Sequence, residues 1–565
     1  MPVTALAAIA FVAGAVIGST SAAVETVDRF ASAWSRGDFP TMHEELTEDA
    51  ASRYPLEEFE DIYSEAHQTA TVDTISHGDP EGSATVSGNE VVTIPITITT
   101  HAFGEVDREL AVPMDGDEIA WEPQLVFPGL ESGERLERRV RSPKRAPILA
   151  RDGTPLAQGP PAARTSPLGA AATNVAGSMG APKRAQAEEL AALGFPETAL
   201  TGTSGLEQAF NERLAGQPGG ELLAVSGESA QGEPRVLATG EPTPGQPVHT
   251  TIDPTLQEAA VTALGATFGG VAVLDADDGS VRALAGVAFS APQPPGSTFK
   301  VITTVAALEA DAVRLDETFP VQTSNTDIGR EISNASDEAC GGTFVQSFAH
   351  SCNTVFAPLG VEIGGERLVQ TAERFGFNET PTLFNDEATE IIKPPASTIP
   401  EELPSDVEVG VSAIGQGEVL STPLEMATIS QTIAGGGVRS PTPIVTDPGL
   451  GPDAEPVRVT DEKTAATLRD LMIEVVRSGT GVPAALPGVE VAGKTGTAEL
   501  GPKANAPPPA EGEEPEQELD AWFTAFAPAK SPEIAVAVMV VNADGGGGDV
   551  AGPIAREVFA AKLGG

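Results

Sequence analysis

This chain of 565 residues is poor in the residues on which several chemistries depend. It holds two cysteines and six histidines (His43, His67, His77, His101, His249, His350), and no two of the histidines have ligand spacing. A metal site is therefore not expected. Cations are scarce too: 33 Lys and Arg stand against 81 Asp and Glu, for a net charge of −48. Neutralising phosphate needs Lys and Arg, so a general nucleic-acid binder is excluded. Acid spread over nearly every segment suits a solvated surface or one adapted to salt. Charge is missing altogether from Met1 to Val24, and Glu25 is the first ionised side chain. As a helix, about 20 such residues cover about 30 Å of hydrocarbon. Residues 1–24 are read as a membrane anchor, with a signal cleaved near Ser21-Ala22-Ala23 as the alternative. Either reading exports the remainder.

The length suits two to four domains. Val24, Val27, Phe30, Ala31 and Trp34 recur at helical spacing up to Gly37-Asp38, and helical pattern continues through Tyr63. Val92, Ile94, Ile96 and Ile98 then alternate, and Asp115-Gly116 turns the chain toward Ile119 and Trp121. Residues 25–127 are thus expected to form a small α+β domain. From 128 to 245 the pattern is weaker. Arg135, Arg138, Arg139, Arg141, Lys144, Arg145 and Arg151 make the one basic cluster, read as intramolecular partners for acid, with an anionic lipid or polymer as the alternative. Gln158 to Gly180, rich in Ala, Pro and Gly, reads as a flexible loop. Beyond Glu241–Gln246, a linker by composition, a first hairpin (Val271–Leu274, Val281–Leu284) precedes a mostly helical stretch to about 480. Strands Val489–Thr497, Ala521–Phe526 and Ile534–Val541 and a helix from about Pro553 follow. Gly501–Asp520, crowded with Pro and Glu, reads as a disordered insertion.

Within that last region three short motifs carry chemistry. Pro294-Pro295-Gly296 leads into Ser297-Thr298-Phe299-Lys300 and an unbroken apolar run. A helix starting there sets Ser297 and Lys300 on one face, where an amine can accept the hydroxyl proton. Alone this is a weak signal. Gly488 to Thr495 matches G-x-x-x-x-G-K-[ST], which would imply nucleotide hydrolysis. That motif needs a helix after it, and Gly496-Thr497-Ala498-Glu499-Leu500-Gly501-Pro502 cannot supply one. On a strand, the same Lys494-Thr495-Gly496-Thr497 presents two hydroxyls to one side, the cation to the other, and a bare backbone at Gly496, an arrangement suited to a carboxylate. The third motif, Ser351-Cys352-Asn353, offers a hydroxyl and an amide two residues apart.

Together these motifs, 54 and 143 residues apart, resemble those of the penicillin-recognising serine acyltransferases. Gly415-Gln416-Gly417, Ser421-Thr422-Pro423, Asp520-Ala521-Trp522-Phe523 and the Gly545–Gly548 run fit the same family over about 250–565. Ser142 to Ala150 and Gly205-Leu206-Glu207 look like the pedestal of class B penicillin-binding proteins, and 25–127 resembles the nuclear transport factor 2-like domain of the methicillin-resistance type. The resemblance implies a multidomain α+β chain: anchor or signal segment 1–24, nuclear transport factor 2-like domain 25–127, dimerisation-type pedestal 128–245, and transpeptidase domain 246–565. The last would be an α/β sandwich with an antiparallel sheet flanked by helices.

What the resemblance implies for activity is a D,D-transpeptidase that cross-links peptidoglycan stem peptides ending in D-Ala-D-Ala, needs no cofactor, and is acylated by β-lactams. Ser297 would be the nucleophile and Lys300 its base, lowered by burial and by Lys494. Ser351 would relay a proton, Asn353 hold the substrate amide, and Thr495, Gly496 and Thr497 receive the terminal carboxylate. The backbone N–H groups of Ser297 and Thr497 would form the oxyanion hole. In an exported protein Cys340 and Cys352 are expected to pair and to brace Ser351. A D,D-carboxypeptidase or β-lactamase, and a penicillin-binding scaffold or sensor, are the alternatives. No glycosyltransferase-like sequence precedes the domain, so a membrane glycan polymerase is expected as partner. The chain is expected at the cell membrane, its catalytic domain on the extracytoplasmic side.

Overall fold

The structure is a computed structural model, describing residues 21–86, 89–226, 233–335, 338–502 and 517–564. The chain divides into two compact units. The first holds Met1–Lys144, Pro182–Ala199 and Gly216–Gly245, and the second Arg145–Ala181, Leu200–Ala215 and Gln246–Gly565.

In the first unit, Ser21 caps the helix Ala22–Ser35 by accepting from the Val24 N–H, and Val24, Val27, Phe30, Ala31 and Trp34 form its buried stripe. The helix Leu56–Ala70 buries Phe59, Tyr63, Ala66 and Ala70, and ends on Thr71 in the left-handed region (φ 52°). These helices cover an antiparallel sheet in the order Val72–His77, Asn89–Thr100, Gly104–Asp115, Glu118–Ile119. Val92, Ile94, Ile96 and Ile98 all face the core, as their alternation requires. Trp121 donates its indole N–H to the Tyr63 hydroxyl (3.2 Å), and Trp34 donates to His67 Nε2 (3.0 Å). Burial pushes the His67 pKa down to about 4, so its ring stays neutral and can accept that bond.

The segments of 128–245 are divided between the two compact units. The strands Glu134–Arg141, Gly219–Ser226 and Arg235–Gly240 pair into a three-stranded sheet. Its Leu222, Ala224 and Leu237 enter the core of the first unit. Residues 145–181 and 200–215 instead send Ile148, Leu156, Ala172, Val175, Leu206, Phe210 and Leu214 into the core of the second. Two apolar surfaces in alternating segments, each buried in a different core, explain the interleaving. The Gln158–Gly180 loop is corrected: Ala170–Ala176 is a helix, and Ala171, Ala172, Val175 and Ala176 are buried. Small side chains at helical spacing pack closely there, where composition alone suggested flexibility.

Most of the basic cluster is spent inside the chain. Arg135 pairs with Glu137, Arg141 with Glu241 and Arg151 with Asp253. Arg138 donates to the carbonyls of Gln68 and Ala191. Arg145 is buried against Glu207, which is 1% exposed and also receives Arg164 Nε (2.6 Å).

The core of the second unit is a five-stranded antiparallel sheet, ordered Val281–Gly286, Gly269–Asp275, Ile534–Val540, Gln517–Ala527, Ala492–Pro502. Alternation sends Val271, Val273, Phe523, Ala525, Val536 and Val538 to one face, under the helices Pro254–Leu264 and Ala551–Leu563. Ala272, Leu274, Trp522, Phe526, Ala535 and Ala537 join the larger helical core on the other. The sandwich is as the sequence implies. The edge strand and its neighbour pair out to Gly501↔Glu518 and Pro502↔Gln517. Both ends of the insertion therefore belong to the ladder, because inter-strand hydrogen bonds hold backbone whatever its side chains. The rest of that reading, 503–516, lies outside the described residues.

Replacing Glu207 by Ala would leave two arginines facing a buried void. A loss of about 3–5 kcal/mol in the stability of the second unit is expected, read from the shift of its denaturation midpoint; a loss below about 1 kcal/mol would contradict the structural role.

Candidate active site

The edge strand Ala492–Pro502 has a sheet partner on one side only, and the turn carrying Ser297 packs against it. Two glycines permit that approach. Gly296 has φ +52°, and a Cβ there would come within 2.6 Å of the Thr497 carbonyl oxygen; a Cβ on Gly496 would come within 2.6 Å of the Pro295 carbonyl oxygen. The Gly296 N–H is held by the Gly415 carbonyl (2.9 Å), which assigns a place to the Gly415-Gln416-Gly417 segment. The turn preceding Ser297 thus lies directly against the backbone of Gly496 and Thr497.

Ser297 does not sit in an α-helical turn. Residues Gly296–Phe299 form a 3₁₀ turn, and the α-helix Lys300–Glu309 begins after it. With three residues per turn, positions i and i+3 eclipse, which stacks Ser297 over Lys300 more directly than an α-turn would. Ser297 is half-buried, while Lys300 is 0% exposed.

Lys300 Nζ donates to the Ser351 carbonyl (2.7 Å) and to Asn353 Oδ1 (2.7 Å), and lies 3.3 Å from Ser351 Oγ. No hydrogen bond joins it to Ser297 Oγ among the described residues. Both short partners are carbonyl oxygens, which only accept, so they take two N–H bonds. A neutral amine has two, leaving its lone pair for a hydroxyl proton. Burial and the nearby Lys494 cation hold Lys300 well below the usual lysine range. Lys494, also 0% exposed, is brought down to about 7 by burial. That shift is about 5 kcal/mol against the cation. The aromatic faces beneath the amines (Phe356 5.3 Å from Lys300, Phe348 5.8 Å from Lys494) return at most about 2 kcal/mol each, so desolvation dominates.

Ser351 lies between the helices Phe344–Ala349 and Asn353–Ile363 in the left-handed region (φ 61°). This conformation costs a non-glycine residue free energy and must be held by its surroundings. It aims the carbonyl at Lys300 and the hydroxyl at Lys494 Nζ (2.8 Å). A disulfide joins Cys340 to Cys352, the next residue, with Cα atoms 5.4 Å apart. Asn353 donates Nδ2 to the Ser333 carbonyl (2.9 Å). Both ends of the amide are therefore engaged, and one Nδ2 hydrogen is left for a substrate, where the sequence suggested the whole group.

Along the edge strand Lys494 and the two threonines diverge. Thr495 Oγ1 meets Thr480 Oγ1 (2.5 Å), and Thr497 Oγ1 accepts the Gly547 N–H (3.2 Å). Since Thr497 accepts from backbone, its own hydrogen is free to donate to a carboxylate. Thr480 N–H is bound by the Ala349 carbonyl (3.1 Å), so the strand is tied to the helix leading into Ser351. Sequence reasoning missed Thr480, and assigned no role to Gly547 although its glycine run was noticed. Thr480 lies between Gly479 and Gly481 at a helix end, a turn signal without chemistry of its own. The phosphate-loop match is geometrically excluded: Gly493, Lys494 and Thr495 lie in one continuous strand, and Lys494 Nζ is buried on Ser351. Among the described residues no His, Cys, Asp or Glu cluster has metal-ligand geometry.

Each of the three regions of the chain is similar to known proteins. The "Penicillin binding protein transpeptidase domain" matches residues 269–560, the "Penicillin-binding Protein dimerisation domain" 159–250, and the "NTF2-like N-terminal transpeptidase domain" 22–134. Peptidoglycan D,D-transpeptidase PbpA of Mycolicibacterium smegmatis is 32% identical over 384 residues, which cover 58% of this chain and 74% of that protein. PbpA of Mycobacterium tuberculosis is 35% identical over 310 residues, 51% of this chain and 58% of its own length. The crystal structure of the latter's PBPA superposes with a TM-score of 0.56 at 27% identity, covering 75% of this chain and 100% of that one, and a solved penicillin G acyl-enzyme complex of it matches equally. The transpeptidase match alone spans more than half of the residues, and the chain belongs to the class B penicillin-binding protein transpeptidases.

Proposed function

We infer that the chain is a peptidoglycan D,D-transpeptidase working through a Ser297 acyl-enzyme. The observation that carries this is the placement of Lys300: fully buried, three residues after Ser297 at the end of a 3₁₀ turn, with Nζ held by the Ser351 carbonyl and Asn353 Oδ1. Ser297 Oγ attacks the carbonyl carbon of the penultimate D-alanine while Lys300 takes the hydroxyl proton. The oxyanion forms between the backbone N–H groups of Ser297 and Thr497, where each donor is worth about 3–4 kcal/mol. Ser351 Oγ accepts from Lys494 Nζ, so its own hydrogen can pass to the departing D-alanine amine, and the proton that Lys300 took from Ser297 replaces it across their 3.3 Å contact. The Thr497 hydroxyl, whose hydrogen is free, donates to the terminal carboxylate. An amine of a neighbouring stem peptide then attacks the ester, restoring Ser297 and leaving a cross-link. The geometry shortens on substrate binding, as resting sites commonly do.

β-Lactams share the D-Ala-D-Ala shape and acylate the same oxygen. We place the catalytic unit outside the cytoplasm, held by the uncharged segment before Glu25, most of which lies outside the described residues; among those described, no helix is long and apolar enough to cross a membrane. Strand polymerisation falls to a partner glycan polymerase.

Two measurements test this reading. With lipid-linked precursor and a polymerase, wild-type protein should release D-alanine and form cross-links, and Ser297→Ala should abolish both along with labelling by fluorescent penicillin. Release without cross-links would make it a carboxypeptidase, and labelling without turnover a scaffold. In the acylation pH profile, the base must be neutral, so the rate rises with pH through the Lys300 pKa. Lys494→Ala removes the neighbouring cation that depresses that pKa. The rising limb should therefore move to higher pH as the rate falls; a limb that stays in place would contradict Lys300 as the base.

A further inference from the structure

Twenty residues before Asn353 the chain makes a short two-stranded ribbon, Ser324–Asn325 paired with Ile332–Ser333, and at its end stands Asn334. Asn334 is 5% exposed and its amide is used at both ends. Nδ2 donates to the carbonyls of Gln322 (2.8 Å) and Glu338 (3.1 Å), and Oδ1 accepts from Thr354 N–H (3.1 Å) and Thr354 Oγ1 (3.2 Å). A buried amide with all four positions filled is a rigid joint, because losing any one leaves a polar group unpaired. It fastens the ribbon to the first turn of the helix Asn353–Ile363. The residue before it, Ser333, turns its carbonyl to Asn353 Nδ2 (2.9 Å). Asn325 Nδ2 donates to the Thr354 carbonyl (2.7 Å), and the Cys340–Cys352 disulfide closes the other end of the segment.

We propose that Asn334 is a positioning residue for acylation: through Thr354 and the Ser333 carbonyl it fixes which end of the Asn353 amide faces Lys300. This rests on the reading of Lys300 as the base of Ser297. A carbonyl accepts only, so the Ser333 oxygen must face the NH₂ end of Asn353, and the Oδ1 end must face Lys300. Turned over, Asn353 would present NH₂ to the lysine. A neutral lysine would answer with its lone pair, withdrawing it from Ser297, and a lysine cation would lose one of its two carbonyl acceptors. The charged group facing Lys300 across Ser351 is Lys494, and its hydrogen bonds do not involve Asn353. The ribbon thus acts on the direction of a lone pair from outside the reacting atoms.

The test is the pH profile of acylation of the full chain by fluorescent penicillin, for wild type and Asn334→Ala. The variant should acylate about tenfold or more slowly, and its rising limb should move to lower pH, because the cation has lost an acceptor. Lower pKa with lower rate is the signature, since a more available neutral amine would otherwise speed the reaction. In an Asn353→Ala background the same change should leave the limb where it is. A limb unshifted in Asn334→Ala, or shifted equally without Asn353, would overturn the proposal. Should Asn334→Ala fail to fold, Asn334→Ser, which keeps an acceptor for the Thr354 N–H, is judged by the same two criteria. Wild-type protein that takes no label would instead defeat the proposed function.

Discussion

Two fully buried lysines share one serine. Lys300 and Lys494 are both 0% exposed, and both reach Ser351, the first through its carbonyl and the second through its hydroxyl. Such proximity is unfavourable for two cations, and burial makes it more so. Burial and the Lys494 charge hold Lys300 well below the usual lysine range, and burial brings Lys494 down to about 7. The remaining parts serve this arrangement: the left-handed Ser351, the disulfide at Cys352, and the glycines that bring the serine turn against the edge strand.

The cost of that arrangement is spread over rigid surroundings. Ser351 is held in an unfavourable backbone conformation by a helix on each side and by the covalent link to Cys340. The edge strand is fastened from the other direction, through Thr495 to Thr480 and on to Ala349. Removing a single bond should therefore displace geometry before it unfolds the unit, since the site lies on a sheet and helices with dense apolar cores on both faces.

Much of this was legible beforehand because chemistry leaves residue types in order. Ser297, Lys300, Ser351, Asn353 and Lys494 are side-chain roles, and the alternation around Lys494 already argued for a strand over a phosphate loop. Apart from the oxyanion-hole N–H groups that the resemblance implied, roles played by backbone could not be read. The Ser351 carbonyl is the partner of Lys300, yet a carbonyl looks the same at every position. Ser333, Thr480 and Gly547 act through backbone or through a lone hydroxyl at a distant turn. The 3₁₀ turn at Gly296–Phe299 differs from the expected α-turn because tertiary contacts at Gly415 and Thr497 override local preference. Composition misled at Gln158–Gly180, where alanines pack a helix.

The central claim is that Lys300 carries a lone pair at neutral pH while its neighbour still holds much of its charge. Observing the side-chain amine resonances of the two lysines by nuclear magnetic resonance across a pH titration measures this directly, with Lys300→Arg and Lys494→Arg proteins assigning the signals. Lys300 should be neutral at neutral pH and Lys494 should titrate near 7. A Lys300 amine that remains protonated through neutrality would contradict the account.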